Sequence, residues 1–90
     1  TRLGKECVLH PHAAVGGAPQ VIGVEESPDS RLEIGDKCVF REYATAHTGW
    51  AKTGGLTTIG SGCFIMIGAH VAHDCHIGNN VVMANNVSLA

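Results

Sequence analysis

Apolar side chains recur every six residues along this chain. Leu3, Leu9 and Val15 hold the rhythm first, then Ile34, Phe40 and Ala46, then Ile59, Ile65, Val71, Ile77, Met83 and Leu89, unbroken from Ile59 onward. Four residues further into each hexad the side chain is small: Cys7, Ala13, Cys38, Ala44, Cys63, Ala69, Cys75, Val81 and Val87. Between them, consecutive hexads place Gly62, Gly68, Asp74, Asn80 and Asn86, residue types that tolerate a left-handed backbone. A short strand and a tight corner in every six residues is the pattern of a hexapeptide-repeat β-helix. No segment holds a 3.6-residue apolar stripe for three turns, which excludes helix for most of the length. The pattern predicts an all-β parallel solenoid in which three hexads make one coil of a triangular prism, with successive coils about 4.8 Å apart.

The rhythm breaks twice. The first break, 17–31, contains Pro19, Pro28 and the run Glu25-Glu26-Ser27; the second, 47–55, contains Trp50, Lys52 and Gly54-Gly55. Both read as loops thrown out of a rigid scaffold, the usual place for binding residues. Trp50, the single tryptophan, is expected in the second loop, against a neighbour or over a substrate. The 90 residues read as one partial β-helix domain, 1–90, that begins with Thr1 in mid-rhythm and stops at Ala90 one residue into a hexad. That phase is expected of an internal segment of a longer protein, or of a subunit that depends on its neighbours.

Composition narrows the partners. A formal net charge of -2 argues against nucleic acid, which would want a basic stripe. No signal peptide or membrane span is visible, the longest apolar run being Cys63 to Ile67, so the default expectation is a cytoplasmic protein. The four cysteines form no close pair and all fall on the small-residue position of the hexad, which predicts stacked structural thiols rather than a metal or redox site.

Six histidines carry the candidate chemistry. His10 and His12 flank Pro11 and read as surface residues. His47, His70, His73 and His76 are the set of interest, with His73 at a predicted corner immediately before Asp74. An imidazole titrating near neutrality is the usual general base for a hydroxyl. A neighbouring carboxylate could orient it, although adjacent residues on a strand point apart. Taken alone, such a pair is more often a solvated surface pair.

From Leu32 to Ala90 the chain resembles the UDP-N-acetylglucosamine O-acyltransferase family, which opens lipid A synthesis. The resemblance is carried by Leu32-Glu33-Ile34-Gly35-Asp36, Arg41-Glu42, Gly54-Gly55-Leu56-Thr57, Ala69-His70-Val71-Ala72-His73-Asp74-Cys75 and Ala84-Asn85-Asn86, in the family's order and spacing. Residues 1–20 fit the preceding coil more loosely through Gly17, Pro19 and Gln20. The resemblance implies a left-handed parallel β-helix, a homotrimer, and active sites between subunits. It implies that His73 is the base that deprotonates the 3-hydroxyl of a UDP-linked amino sugar. That hydroxyl then attacks the thioester of a 3-hydroxyacyl chain on acyl carrier protein. Asp74 supports the base, and His70, His47 and Gln20 shape the substrate cleft. No metal, cofactor or covalent acyl-enzyme is implied.

Two departures bear on the acceptor. Where the family's substrate loop reads Gln-Asp-Leu-Lys this chain has Gln20-Val21-Ile22-Gly23, and where Arg-Gly follows the family's histidine it has Thr48-Gly49. Both remove charge near a diphosphate-bearing ligand, which leaves a related sugar nucleotide open as acceptor. Three other readings compete. A γ-class carbonic anhydrase would need a zinc histidine at the position of Gly68, and His70, His73 and His76 would have to converge across a corner. A coenzyme A-dependent acetyltransferase shares the scaffold, but the Ala-His-Val-Ala-His-Asp-Cys match is poor support for it, and His73 and the two loops argue against a non-catalytic β-helical scaffold.

Overall fold

The computed structural model describes residues 1–18, 30–50 and 54–89. The described residues form twelve short strands: β1 (Arg2–Leu3), β2 (Val8–Leu9), β3 (Ala14–Gly17), β4 (Arg31–Ile34), β5 (Val39–Phe40), β6 (Thr45–His47), β7 (Leu56–Ile59), β8 (Phe64–Ile65), β9 (His70–Val71), β10 (His76–Ile77), β11 (Val82–Met83) and β12 (Ser88–Leu89). Every third strand falls in the same sheet, giving β1-β4-β7-β10, β2-β5-β8-β11 and β3-β6-β9-β12, all parallel. The three sheets are the faces of a left-handed parallel β-helix, against the usual right-handed crossover preference.

Register shows where the interruptions leave the prism. Thr58 lies beside His76, 18 residues on, which is three uninterrupted hexads. The preceding coil needs 25 residues, from Thr45 to His70, and the one before it 31, from Lys5 to Asp36. Both extra lengths leave by one edge of the prism, from β3 to β4 and from β6 to β7, so they stack in successive coils. The next corner on that edge, between β9 and β10, is His73-Asp74.

The hexad positions fill the interior. Leu32, Cys38, Phe40, Ala44, Ala46, Ile65, Ala69 and Val71 are fully buried, with Ile34, Ile59, Cys63, Ile77 and Met83 nearly so. Phe40 shares its coil with Ala46, so a large and a small side chain fill one layer at near-constant volume. Leu3 and Leu9 in the first coil and Leu89 in the last are about two-fifths exposed, because each has a neighbouring coil on one side only.

The corners carry the left-handed residues that the hexads predict, at Gly62, Gly68, Asp74, Asn80 and Asn86. They also carry four that residue type does not announce: Glu6, His12, Lys37 and Tyr43, with φ between 57° and 67°. At Lys37 a hydrogen bond to the coil before compensates this strain, and the same bond recurs at Gly62 and Asn80. The N–H of Lys37 donates to Lys5 O, that of Gly62 to Asp36 O and that of Asn80 to Ser61 O, each at 2.8 Å. A side-chain column runs beside them. Lys5 N–H donates to Asp36 Oδ1 at 2.7 Å, Asp36 N–H to Ser61 Oγ at 3.0 Å and Ser61 N–H to Asn79 Oδ1 at 2.8 Å.

Three cysteines are structural, as their hexad position predicts. The thiols of Cys7, Cys38 and Cys63 donate to the carbonyls of Gly35, Gly60 and Gly78 at 3.2, 3.0 and 3.2 Å, each one coil further on. Burial pushes the Cys38 thiol above its ordinary pKa, so it stays protonated and able to donate. Cys75 is half-buried on the edge that carries His73-Asp74.

Candidate functional site

The corner of Asp74 brings an adjacent pair together. On a strand, His73 and Asp74 would point apart. At φ 62° Asp74 turns its carboxylate back, and His73 Nδ1–H donates to Asp74 Oδ2 at 2.8 Å. The pair is recessed, with side chains 31% and 18% exposed, so it is not a freely solvated surface pair. A carboxylate only accepts, so in the neutral imidazole the proton sits on Nδ1 and the lone pair on Nε2. This is the tautomer a general base requires, held by the residue next in sequence.

The second interruption reaches the same carboxylate. Trp50 N–H donates to Asp74 Oδ2 at 3.1 Å, and the Trp50 ring stands edge-on to the His73 imidazole with centroids 6.1 Å apart. The expected neighbour of Trp50 is therefore the histidine itself. The bases of the two interruptions are tied to each other as well. Thr48 N–H donates to Gly17 O at 2.9 Å, Gly49 N–H to Arg31 O at 3.0 Å and Arg31 N–H to Gly55 O at 2.7 Å. Gly49 permits this crossing, because a Cβ there would collide with the Leu56 nitrogen and the Gly55 backbone.

His47 and His70 stand together beside that edge. Their rings meet edge to face with centroids 4.7 Å apart. His70 Nδ1 shares a 2.6 Å hydrogen bond with the hydroxyl of Thr45, its register partner one coil before. Burial holds the His47 imidazole below its ordinary pKa, aided by the charges His70 and His73 would carry, and burial does the same to His70. Both are neutral at physiological pH. His47 Nδ1 is fully covered and has no hydrogen-bond partner among the described residues.

His76 does not join this group. It lies on β10, on the face beyond the corner, and shares a 2.8 Å hydrogen bond with Thr58. Among the described residues no three His, Cys, Asp or Glu side chains stand close enough to share a metal ion. Histidines 70, 73 and 76 bracket an edge and bond to separate partners, the arrangement least suited to one tetrahedral zinc. Gln20 and most of the first interruption lie outside the described residues, as does Lys52.

Residues 56–90 match the family model described as bacterial transferase hexapeptide (six repeats). The acyl-[acyl-carrier-protein]–UDP-N-acetylglucosamine O-acyltransferase of Caulobacter vibrioides is 45% identical over 89 residues, which is 99% of this chain and 34% of that protein. The enzyme of the same name from Anaeromyxobacter sp. is 46% identical over 88 residues, 98% of this chain and 34% of that protein. The chain resembles the UDP-N-acetylglucosamine O-acyltransferases along its whole length. It spans about a third of the length of the curated relatives it matches. Among solved structures, the UDP-N-acetylglucosamine acyltransferase of Francisella novicida superposes with a TM-score of 0.88 at 35% identity, covering 94% of this chain and 31% of that one.

Three contributors to the site escaped the sequence reading: the Thr45 hydroxyl, the Thr57 hydroxyl, which accepts from Asp74 N–H at 2.8 Å, and the backbone N–H of Trp50. The two threonines had a signal. Thr45 stands 25 residues before His70 and Thr57 stands 18 before Cys75, so counting by coil places Thr45 under a site residue and Thr57 under the neighbour of Asp74. A backbone donor leaves no trace in residue type.

Proposed function

We propose that the protein carrying this chain transfers a 3-hydroxyacyl group from acyl carrier protein to the 3-hydroxyl of UDP-N-acetylglucosamine, with His73 as general base. The supporting observation is the His73–Asp74 pair, aligned by a 2.8 Å hydrogen bond at the edge where both interruptions leave the prism. The relatives and solved neighbours, whose names state this acceptor, support the substrate assignment.

In this reading the acceptor hydroxyl sits against His73 Nε2, which takes its proton as the oxygen attacks the thioester carbonyl. The tetrahedral intermediate collapses, the C–S bond breaks, and the imidazolium returns the proton to the departing thiolate of the carrier. Asp74 holds the imidazole in one tautomer and stabilises its positive charge during the step. His47 and His70, neutral because they are partly buried, offer hydrogen bonds to a polar substrate without adding charge. Gln20 is assigned to the acceptor by the resemblance alone. Positioning and one base supply the rate, with no covalent acyl-enzyme.

The assembly is proposed to be a homotrimer. Outward-facing Val8, Val39, Phe64 and Val82 lie in register down the second sheet, with Val8 48% and Val82 67% exposed. A partner copy over that column would remove it from water.

The deciding experiment assays the full-length protein with 3-hydroxyacyl carrier protein and UDP-N-acetylglucosamine, beside His73→Ala. The reading expects transfer by the wild type and a loss of at least about 100-fold in kcat in the variant. Transfer that survives in His73→Ala would remove the base. No transfer by the wild type, with transfer to another sugar nucleotide, would reassign the acceptor to suit Val21 and Gly23.

A further inference from the structure

The Asp74 corner is built differently from five other left-handed corners of the prism. At Lys37, Gly62, Gly68, Asn80 and Asn86, the left-handed residue donates its N–H to a backbone carbonyl at the corner one coil before. Below Asp74 that corner is missing, because the second interruption leaves the prism there. Asp74 N–H donates instead to Thr57 Oγ1 at 2.8 Å. Thr57 is fully buried and is the one buried polar side chain among the described residues. It occupies the inward position of β7 that Leu32 holds one coil earlier, where an aliphatic side chain would serve packing as well.

We propose that Thr57 is a positioning residue for transfer: its hydroxyl replaces the absent corner carbonyl and sets the Asp74 carboxylate against His73. The inference rests on His73 being the base. The hydroxyl fixes the backbone of Asp74 from below. From the second interruption, Trp50 N–H fixes Oδ2, the oxygen that accepts from His73. These two hydrogen bonds hold the corner at both ends. Thr57 touches no reacting atom and acts wholly through Asp74.

A valine has the shape of threonine without the acceptor, and a serine keeps the acceptor without the methyl. In the full-length protein Thr57→Val is expected to lower kcat about 10- to 100-fold, the scale of a small displacement of a catalytic group, with KM for either substrate changed less than about threefold. Thr57→Ser is expected to stay within about threefold of wild-type kcat. Asp74→Gly keeps a corner that tolerates positive φ but has no carboxylate to place, so adding Thr57→Val to it is expected to cost less than about threefold more in single-turnover rate. Wild-type kcat in Thr57→Val would overturn the proposal. So would equal losses in the serine and valine variants, which mean packing, or an undiminished loss on the Asp74→Gly background. His73→Ala is run in parallel: wild-type rates there would overturn the base itself, whereas an inactive His73→Ala beside an unimpaired Thr57→Val would overturn only the role of Thr57.

Discussion

At the scale of the residue, the site depends on histidines in different protonation environments. His47 and His70 are held below the ordinary imidazole value of 6.5 by burial, while the unfolded chain keeps that value. As pH falls through 6.5 the unfolded state takes up protons that the folded state refuses, so these two histidines lower stability toward acid. Their contribution is intact above 6.5 and disappears progressively below it, as pH falls toward the depressed folded values. His47→Gln is expected to flatten the decline of melting temperature between pH 7.5 and 5.5, followed by scanning calorimetry; a slope equal to wild type would mean that His47 titrates freely in the fold. The candidate base and its carboxylate were legible as neighbours in sequence. Their hydrogen bond was not, because the left-handed corner expected at Asp74 does not by itself say which way the carboxylate turns.

At the scale of the element, strands of two to four residues contribute little by themselves, and the corners decide the register. A corner residue bonded to the coil before it fixes which side chains point inward in the next strand. The hexad rhythm therefore revealed strands and corners together. It could not reveal left-handed Glu6, Lys37 and Tyr43, whose residue types avoid that region unless tertiary hydrogen bonds or packing outweigh the cost. Tyr43 is accompanied by a stack with His12, rings 5.1 Å apart, which also places His12 on the surface as expected. The second interruption is an element of another kind, tied down at its neck where Gly49 passes beneath the Leu56 nitrogen. Gly49→Ala forces that crossing apart and is expected to cost about 1–3 kcal/mol of stability, measured by denaturant unfolding. It should also lower transfer, because Trp50 N–H moves with the neck; unchanged stability and rate would show that the neck accommodates a methyl group.

At the scale of the whole molecule, three faces have three different uses. The edge between the third and first sheets carries both interruptions and the His73–Asp74 corner. The second sheet carries a bare aliphatic and aromatic column, and the interior is filled by the hexads. Val82, the most exposed member of that column, has little to contribute to folding of its own chain. Val82→Glu is expected to leave the melting of an isolated subunit within about 0.5 kcal/mol of wild type. In the proposed homotrimer the same change should shift the assembly toward monomer in analytical ultracentrifugation, since three like charges would be buried near the contact. A trimer of unchanged affinity would place the contact on another face.

The period of six and the small residues between apolar positions were sufficient to determine a parallel β-helix, its inward-facing side chains and its stacked thiols. Those properties repeat identically in every coil, so a local pattern contains them. What only the tertiary structure decided is what each coil does to the next. Register placed two loops of unequal length on one edge, set His70 over Thr45, and put Thr57 beneath Asp74 where a carbonyl was missing. Those contacts join residues 17 and 25 positions apart, and their geometry depends on where the second interruption leaves the prism and returns to it.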